Sequence, residues 1–251
     1  MVEVMDDSGH PGSCEDVGVD RPSISAFFPC HNEAATVEPL VRQTIAVLGE
    51  IASDFEVIIV DDGSTDATPT IADRLVAELE VVKVVHHPTN LGYGAALQSG
   101  FRTASKEWVF YTDGDAQFDV KELKGIVPLI AQYDIVSCYR LQRREGFRRR
   151  LNGLCWSRLV GFVFGMHLKD VDCAFKLYRR EIFDRIEMRS RGALIDAEIL
   201  ARAIRKGYTV GQAGVHHYPR QAGRSTGGNP RVILRAFREL LQLRGEILRD
   251  S

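Results

Sequence analysis

The chain has 251 residues, 45% hydrophobic and 26% charged, with 32 Lys+Arg against 34 Asp+Glu and a net charge of -2. That composition buries a full core in one domain and excludes collagen-like, mucin-like and wholly disordered readings. No apolar stretch approaches the ~20 residues of a bilayer-spanning helix, so any membrane contact is expected to be peripheral.

Residues 1–20 hold six acids (Glu3, Asp6, Asp7, Glu15, Asp16, Asp20) and neither Lys nor Arg. Lacking an apolar h-region, they read as a solvated, disordered tail and not as a signal peptide. Five cysteines (Cys14, Cys30, Cys138, Cys155, Cys173) show no C-x-x-C spacing, which fits a reducing cytoplasm better than a disulfide frame or a zinc site.

Beyond the tail, segments 23–28, 55–61, 81–87, 107–113 and 134–139 read as strands buried on both faces. Between them, 34–50, 67–79, 92–104 and 119–132 carry helical spacing, with Thr65 or Asp66 as N-cap and Pro69 in a first turn. Repeated βα units predict an α/β fold with a mainly parallel sheet flanked by helices. Ligands bind such sheets beyond the carboxyl ends of the strands. Four polar loops open on that edge: PCHNE after 28, DDGSTD after 60, PTNLGYG after 87 and DGDAQFD after 112.

In VDDGSTD, Asx turns and a cap account for Gly63, Ser64 and Asp66. The doubled Asp61 and Asp62 call for a donor, such as a base or ribose, to offset their repulsion. NLGYGAALQSG is a partial G-x-G-x-x-G with Leu97 at the third glycine, so no dinucleotide site is expected there. Gly92, Gly94 and Gly100 are expected to allow tight helix packing instead. His86-His87 and His216-His217 cannot each share one ion, because neighbours on a strand point to opposite faces. Structural roles are expected for them, with His216 alone a candidate addition to the site through a strand over 208–217. DGDAQFD places Asp113, Asp115 and Gln117 at alternate positions, where their oxygens converge on a hard cation, Mg2+ or Mn2+. An acidic turn capping a helix near Asp119 is the blander account of the same residues.

Two segments concentrate positive charge. Residues 140–170 hold seven arginines and Lys169 against Glu145 and Asp170, and residues 220–251 hold seven arginines against three acids. Residues 140–168 run from arginines into Trp156, Phe162 and Phe164, the pattern of a helix lying in a membrane interface. The last segment gathers Ile233, Phe237, Leu240, Leu241, Leu243, Ile247 and Leu248 mostly on one side. It serves a bilayer surface, the core or a homodimer. No nucleic-acid module accompanies the arginines, and nucleic acid is not expected as a partner. The expected organisation is thus a tail over 1–20, an α/β domain over 21–218, and a basic loop with an amphipathic helix over 219–251.

Taken in order, PCHNE, VDDGSTD, NLGYGAALQSG, DGDAQFD, DVDCAFKLYRRE and HHYPRQAGRSTGG resemble family-2 glycosyltransferases of GT-A fold over about 21–230. They most closely resemble the dolichol-phosphate mannose synthase group and its bacterial polyprenyl-phosphate relatives. The resemblance implies a nucleotide-sugar donor of GDP-mannose or UDP-glucose type, a divalent cation, inversion at the anomeric carbon and a polyprenyl phosphate acceptor. It also implies contact with the cytoplasmic face of a membrane. Carried onto this chain, it puts Pro29, Glu33, Val60, Asp62, Asp113 and Gly114 at the nucleotide, and Asp115 and Gln117 on the metal. Arg140, Arg149 or Arg150, Arg220 and Ser225 would meet phosphate or acceptor, with Gly223 beside them. Cys173 and Ala174 depart from the usual serine and glycine, and Arg224 replaces an acidic or polar residue.

Asp115 is the expected catalytic centre through the metal. A phosphate acceptor needs no base, whereas a saccharide or small-molecule hydroxyl does. Asp172, or Asp196 with Glu198, would supply it unless the latter two are held in ion pairs with Arg202 or Arg205. From another class, a nonenzymatic nucleotide-sugar-binding protein would bind donor without consuming it.

Overall fold

The computed structural model describes residues 2–3, 21–141, 147–192, 194–219, 239–240, 242–247 and 249, with the backbone alone at 2–3 and 147–155. The rest of the acidic tail, and Arg220, Gly223, Arg224 and Ser225, lie outside the described residues.

Eight strands form one mixed sheet: β1 (Val2–Glu3), β2 (Ser23–Cys30), β3 (Asp54–Asp61), β4 (Val82–His86), β5 (Trp108–Thr112), β6 (Ile135–Arg140), β7 (Phe175–Arg179) and β8 (Val210–Val215), in the order β1-β8-β6-β7-β5-β2-β3-β4. The βα units give β2, β3, β4 and β5 one direction, because α1 (Val37–Ile51), α2 (Thr68–Glu78) and α3 (Tyr93–Thr103) each return the chain to the same end. Apolar runs such as Val57–Val60 and Val109–Tyr111 are wholly buried, as strands covered on both faces must be.

The expected helix over 119–132 is instead a short α4 (Leu123–Ile126) between two 3-10 turns, Val120–Glu122 and Val127–Ala131. Asp119 caps the first turn by accepting from the Lys121 N–H, and Pro128 lies in the first turn of the second.

β7 runs antiparallel to both neighbours, β5 and β6. The reversal matters for the site. β6 and β8 pair in parallel, so their carboxyl ends share the edge of β2, β3 and β5. β7 starts at that edge, and the segment before it, Asp170 to Ala174, is delivered there as well.

Among the described residues α5 (Phe147–Phe164), α6 (Ile182–Arg185) and α7 (Ile195–Arg205) follow. Near the terminus, residues 239–240 and 242–247 are helical. Leu240, Leu243 and Ile247 there are buried in the same core as the sheet. Of the bilayer surface, the core and a homodimer, it is the core that takes these three side chains. Among the described residues no helix is long and apolar enough to cross a membrane.

Candidate active site

Asn32 ties the first two loops of the carboxyl edge together. With φ at 60°, its Oδ1 accepts from the N–H of Thr65 at 2.8 Å and of Asp66 at 3.3 Å, and its own N–H donates to Ser64 Oγ. Asparagine tolerates this left-handed backbone and bonds locally from it. Glu33 is buried, and its N–H donates to Thr68 Oγ1 at 2.9 Å. Thr36 extends the tie to the DGDAQFD loop by donating to the Gly114 carbonyl at 2.7 Å.

The paired aspartates find their donors inside the protein. Asp61 Oδ2 meets His86 Nδ1 at 2.8 Å and its Oδ1 accepts from the Ser64 N–H. Asp62 Oδ1 meets His87 Nδ1 at 2.7 Å and the Leu91 N–H at 2.8 Å, while Oδ2 accepts from the Gly92 N–H at 3.0 Å. The expectation that their repulsion must be offset by a base or ribose is therefore corrected. Two histidines and three backbone donors do it. Val60 is fully buried and pairs with Pro29 in the ladder, so its side chain belongs to the core.

At the end of β5 the backbone of Gly114 packs on β2: a Cβ there would sit 2.5 Å from Cys30 Sγ and 2.9 Å from the Pro29 carbonyl. Glycine holds the loop close. On one side of it Asp113 is half-buried, with Oδ1 shielded from solvent and without a hydrogen-bond partner. Burial first, then the charges of Asp115 and Asp196, push its carboxyl up to about 7, against the opposing influence of Tyr93 and of the Lys176 charge. On the other side Asp115 accepts from the Gln117 N–H at 3.1 Å across Ala116, at φ 56°.

These residues fit a divalent cation. Two carboxylates stand side by side, one with an orphaned buried oxygen and a disfavoured charge, which is the electrostatic need a cation answers. Among the described residues no three His, Cys, Asp or Glu side chains form a closed metal cage. An open site of two carboxylates leaves coordination to be completed by the phosphates of a ligand, as Mg2+ commonly is. Gln117, expected on the metal, donates from Nε2 to the Tyr218 carbonyl at 2.8 Å. The Tyr218 N–H returns to the Gln117 carbonyl, Phe118 bridges His217, and the two rings meet edge to face at 5.0 Å. The chain after β8 thus docks on this loop. His216, expected to join the site, is exposed and turned to Glu122.

Lys176 comes from the reversed β7, and Asp170 and Asp172 from the segment that leads into it. Arg140, expected to meet phosphate, pairs with buried Asp170 through two bonds of 2.7 and 3.0 Å. Asp172 still reaches solvent, although protein atoms crowd its carboxyl. Protein enclosure, followed by the charges of Asp196 and Asp170, pushes its carboxyl up to about 6. Fully buried Lys176 donates to Asp196 at 2.7 Å, to Tyr111 Oη at 3.0 Å and to the Cys173 carbonyl at 2.6 Å. Tyr111 also donates to Asp196. Glu198 takes Arg202 Nε at 2.9 Å and the N–H groups of Arg189 and Ser190. The expected ion pair therefore holds for Glu198, whereas the partner of Asp196 is Lys176. Arg149 and Arg150 lie on α5, where only the backbone is described.

Sequence reasoning missed Lys176, Tyr93, Asp170 and Tyr218. Lys176 left a signal: a single cation inside the apolar run AFKLY demands a buried partner.

A mainly parallel sheet crossed by one reversed strand, with a D-x-D loop at its carboxyl edge, defines a glycosyltransferase of the GT-A fold. The description "Glycosyl transferase family 2" matches residues 25–187, and the chain belongs to that family. It is 32% identical over 249 residues to the glycosyltransferase AglD of Haloferax volcanii, covering 95% of this chain and 38% of the relative. With the dodecaprenyl-phosphate galacturonate synthase of Rhizobium johnstonii it shares 31% over 229 residues, 90% of this chain and 66% of the relative. The chain thus spans between 38% and 66% of the length of these two relatives. Among solved structures, it superposes on glucosyl-3-phosphoglycerate synthase of Mycobacterium tuberculosis, solved with Mn2+, UDP-Glc and phosphoglyceric acid, at a TM-score of 0.71 and 18% identity, covering 95% of this chain and 86% of that one. A mannosyltransferase of Pyrobaculum calidifontis, in complex with GDP-Man and Mn2+, gives 0.63 at 21% identity, covering 92% and 65%.

Proposed function

We propose that the protein transfers a hexose from a nucleotide sugar to a polyprenyl phosphate, with inversion and with a divalent cation. The observation that carries this reading is the Asp113–Asp115 pair with its orphaned buried oxygen at the carboxyl edge. The polyprenyl-phosphate relatives support the acceptor, and the Mn2+ and nucleotide sugars of the solved neighbours support the donor and the cation. Asp115, with Asp113 beside it, would hold the cation, which neutralises a departing diphosphate. The chain's own work is positioning: the Asn32-tied loops and Gly114 shape the nucleotide pocket. An acceptor phosphate is already anionic near neutral pH and needs no base. Arg149 or Arg150, Arg220 and Ser225 are proposed to draw it in.

Turnover of GDP-mannose, UDP-glucose and related donors, with Mg2+ or Mn2+ and with or without a short polyprenyl phosphate, tests the proposal. Lipid-dependent nucleotide release is expected. Asp115→Ala should lower it by two orders of magnitude or more, the scale of losing a group that stabilises charge in the transition state. Wild-type turnover by that variant would overturn the metal assignment.

A second reading, a saccharide or small-molecule hydroxyl acceptor, is favoured by Asp172. A carboxylate that reaches solvent and is pushed up to about 6 suits a general base. On this reading activity rises as pH increases through about 6 and Asp172→Asn abolishes the rise. A flat profile with strict lipid dependence would discard it.

A further inference from the structure

Asp62, His87 and Ser99 form a hydrogen-bonded series with no part in the transfer chemistry above. His87, immediately after β4, directs Nδ1 to Asp62 Oδ1 at 2.7 Å and Nε2 to Ser99 Oγ on α3 at 2.8 Å. Its side chain is 8% exposed and that of Asp62 6%. One tautomer satisfies every atom: Nδ1–H donates to the carboxylate, and Nε2 accepts from the Ser99 hydroxyl.

A histidine that needed only its own satisfaction could bond a backbone carbonyl. Here it orients a carboxylate whose remaining lone pairs hold Leu91 and Gly92. These residues form the crest between β4 and α3. Leu91 is 47% exposed there, and Gly92 turns through φ 96° into α3. Below the crest, a Cβ on Gly63 would collide with the backbone of Thr89, so the VDDGSTD turn and the crest are already in contact. The Asp62 carboxylate is thus held between the two backbone N–H groups of the crest and the His87 imidazole.

We propose that His87 is a positioning residue for the donor nucleotide, acting through Asp62 on the 89–92 crest, with Ser99 fixing its tautomer. The proposal rests on the nucleotide-sugar reading. It assigns Asp62 the task of building the pocket wall, with His87 as the residue on which donor affinity depends. Loss of His87 therefore weakens nucleotide binding and donor KM while leaving kcat at saturating donor nearly unchanged.

Calorimetric titration with UDP and with GDP, each with Mn2+, tests this on the wild type, His87→Leu, His87→Asn and Ser99→Ala, alongside donor kinetics. Asn places a donor where Nδ1 stood, and Leu places none. The expected result is a weakening of about tenfold in His87→Leu, the upper range for losing one buried hydrogen bond. Recovery to within about twofold is expected in His87→Asn, and a loss of about twofold in Ser99→Ala, with kcat within about twofold throughout. A packing role alone would not be rescued by the smaller Asn. Equal affinity in a His87→Leu protein of native melting behaviour would overturn the proposal. If that variant does not fold, unchanged binding by Ser99→Ala overturns it. A wild type that binds neither nucleotide would instead overturn the nucleotide-sugar reading on which it stands.

Discussion

Asp113 is where the cost of the site is concentrated. Burial and two neighbouring carboxylates raise its pKa from 3.8 to about 7, so between those values the folded, metal-free protein holds a proton that the unfolded chain releases. The stabilisation linked to that proton is fully present below about pH 4 and is lost as pH rises through about 7. Asp113→Asn carries no such proton. Melting curves of the two metal-free proteins should therefore diverge in favour of the variant as pH increases over that interval, and Mn2+ should restore only the wild type. Parallel curves would remove the electrostatic argument for a cation. Lys176 keeps the cost from rising further. Its fully buried ammonium beside Asp196 supplies opposing charge to Asp113 and to Asp172, and a buried pair of this kind is costly to break from one side.

Elements bring these residues together, and the glycines of the loops decide how closely. At Gly114 an added methyl meets Cys30 Sγ and the Pro29 carbonyl, whereas at Gly125 on α4 it meets nothing within 4 Å. Gly114→Ala should thus displace Asp113 and Asp115 and depress turnover at least tenfold, since small misplacements of a catalytic group carry costs of that size. Gly125→Ala should keep activity and gain up to ~1 kcal/mol from helix propensity. Chemical denaturation with donor assays separates the two, and a fully active Gly114→Ala would show that the loop tolerates being moved. Much of this arrangement was legible in the sequence. Buried β-rich runs ending in polar loops gave the direction of β2 to β5 and the shared edge. β7 is not legible there because Lys176 interrupts its apolar pattern, and it is β7 that brings Asp172 to the edge. The doubled Asp61 and Asp62 suggested a ligand because their donors, His86 and His87, lie 25 residues further on, a pairing that only the parallel register of β3 and β4 brings about.

For the whole molecule, the question is which surface meets the lipid that the proposed acceptor requires. The C-terminal helix is a poor candidate, since Leu240, Leu243 and Ile247 are buried. α5 divides differently. Ser157, Val160 and Gly161 face the protein, while Arg158 is exposed and Phe162, one turn on, is 86% exposed. A cation and an aromatic ring at i and i+4 on an outer face suit the boundary between headgroups and acyl chains, where charge and apolar area both contribute. Wild-type protein should then float with anionic vesicles at low salt and release as salt screens the arginines. Phe162→Asp should weaken that binding by about tenfold or more, the equivalent of the ~1.5–3 kcal/mol for burying a Phe side chain, without loss of melting temperature. Leu243→Ala should do the reverse, destabilising by ~2–5 kcal/mol as a core truncation does while the fraction that remains folded still binds. If Phe162→Asp floats like the wild type, α5 is not the contact, and the lipid-facing surface must be sought among the arginines of 220–238.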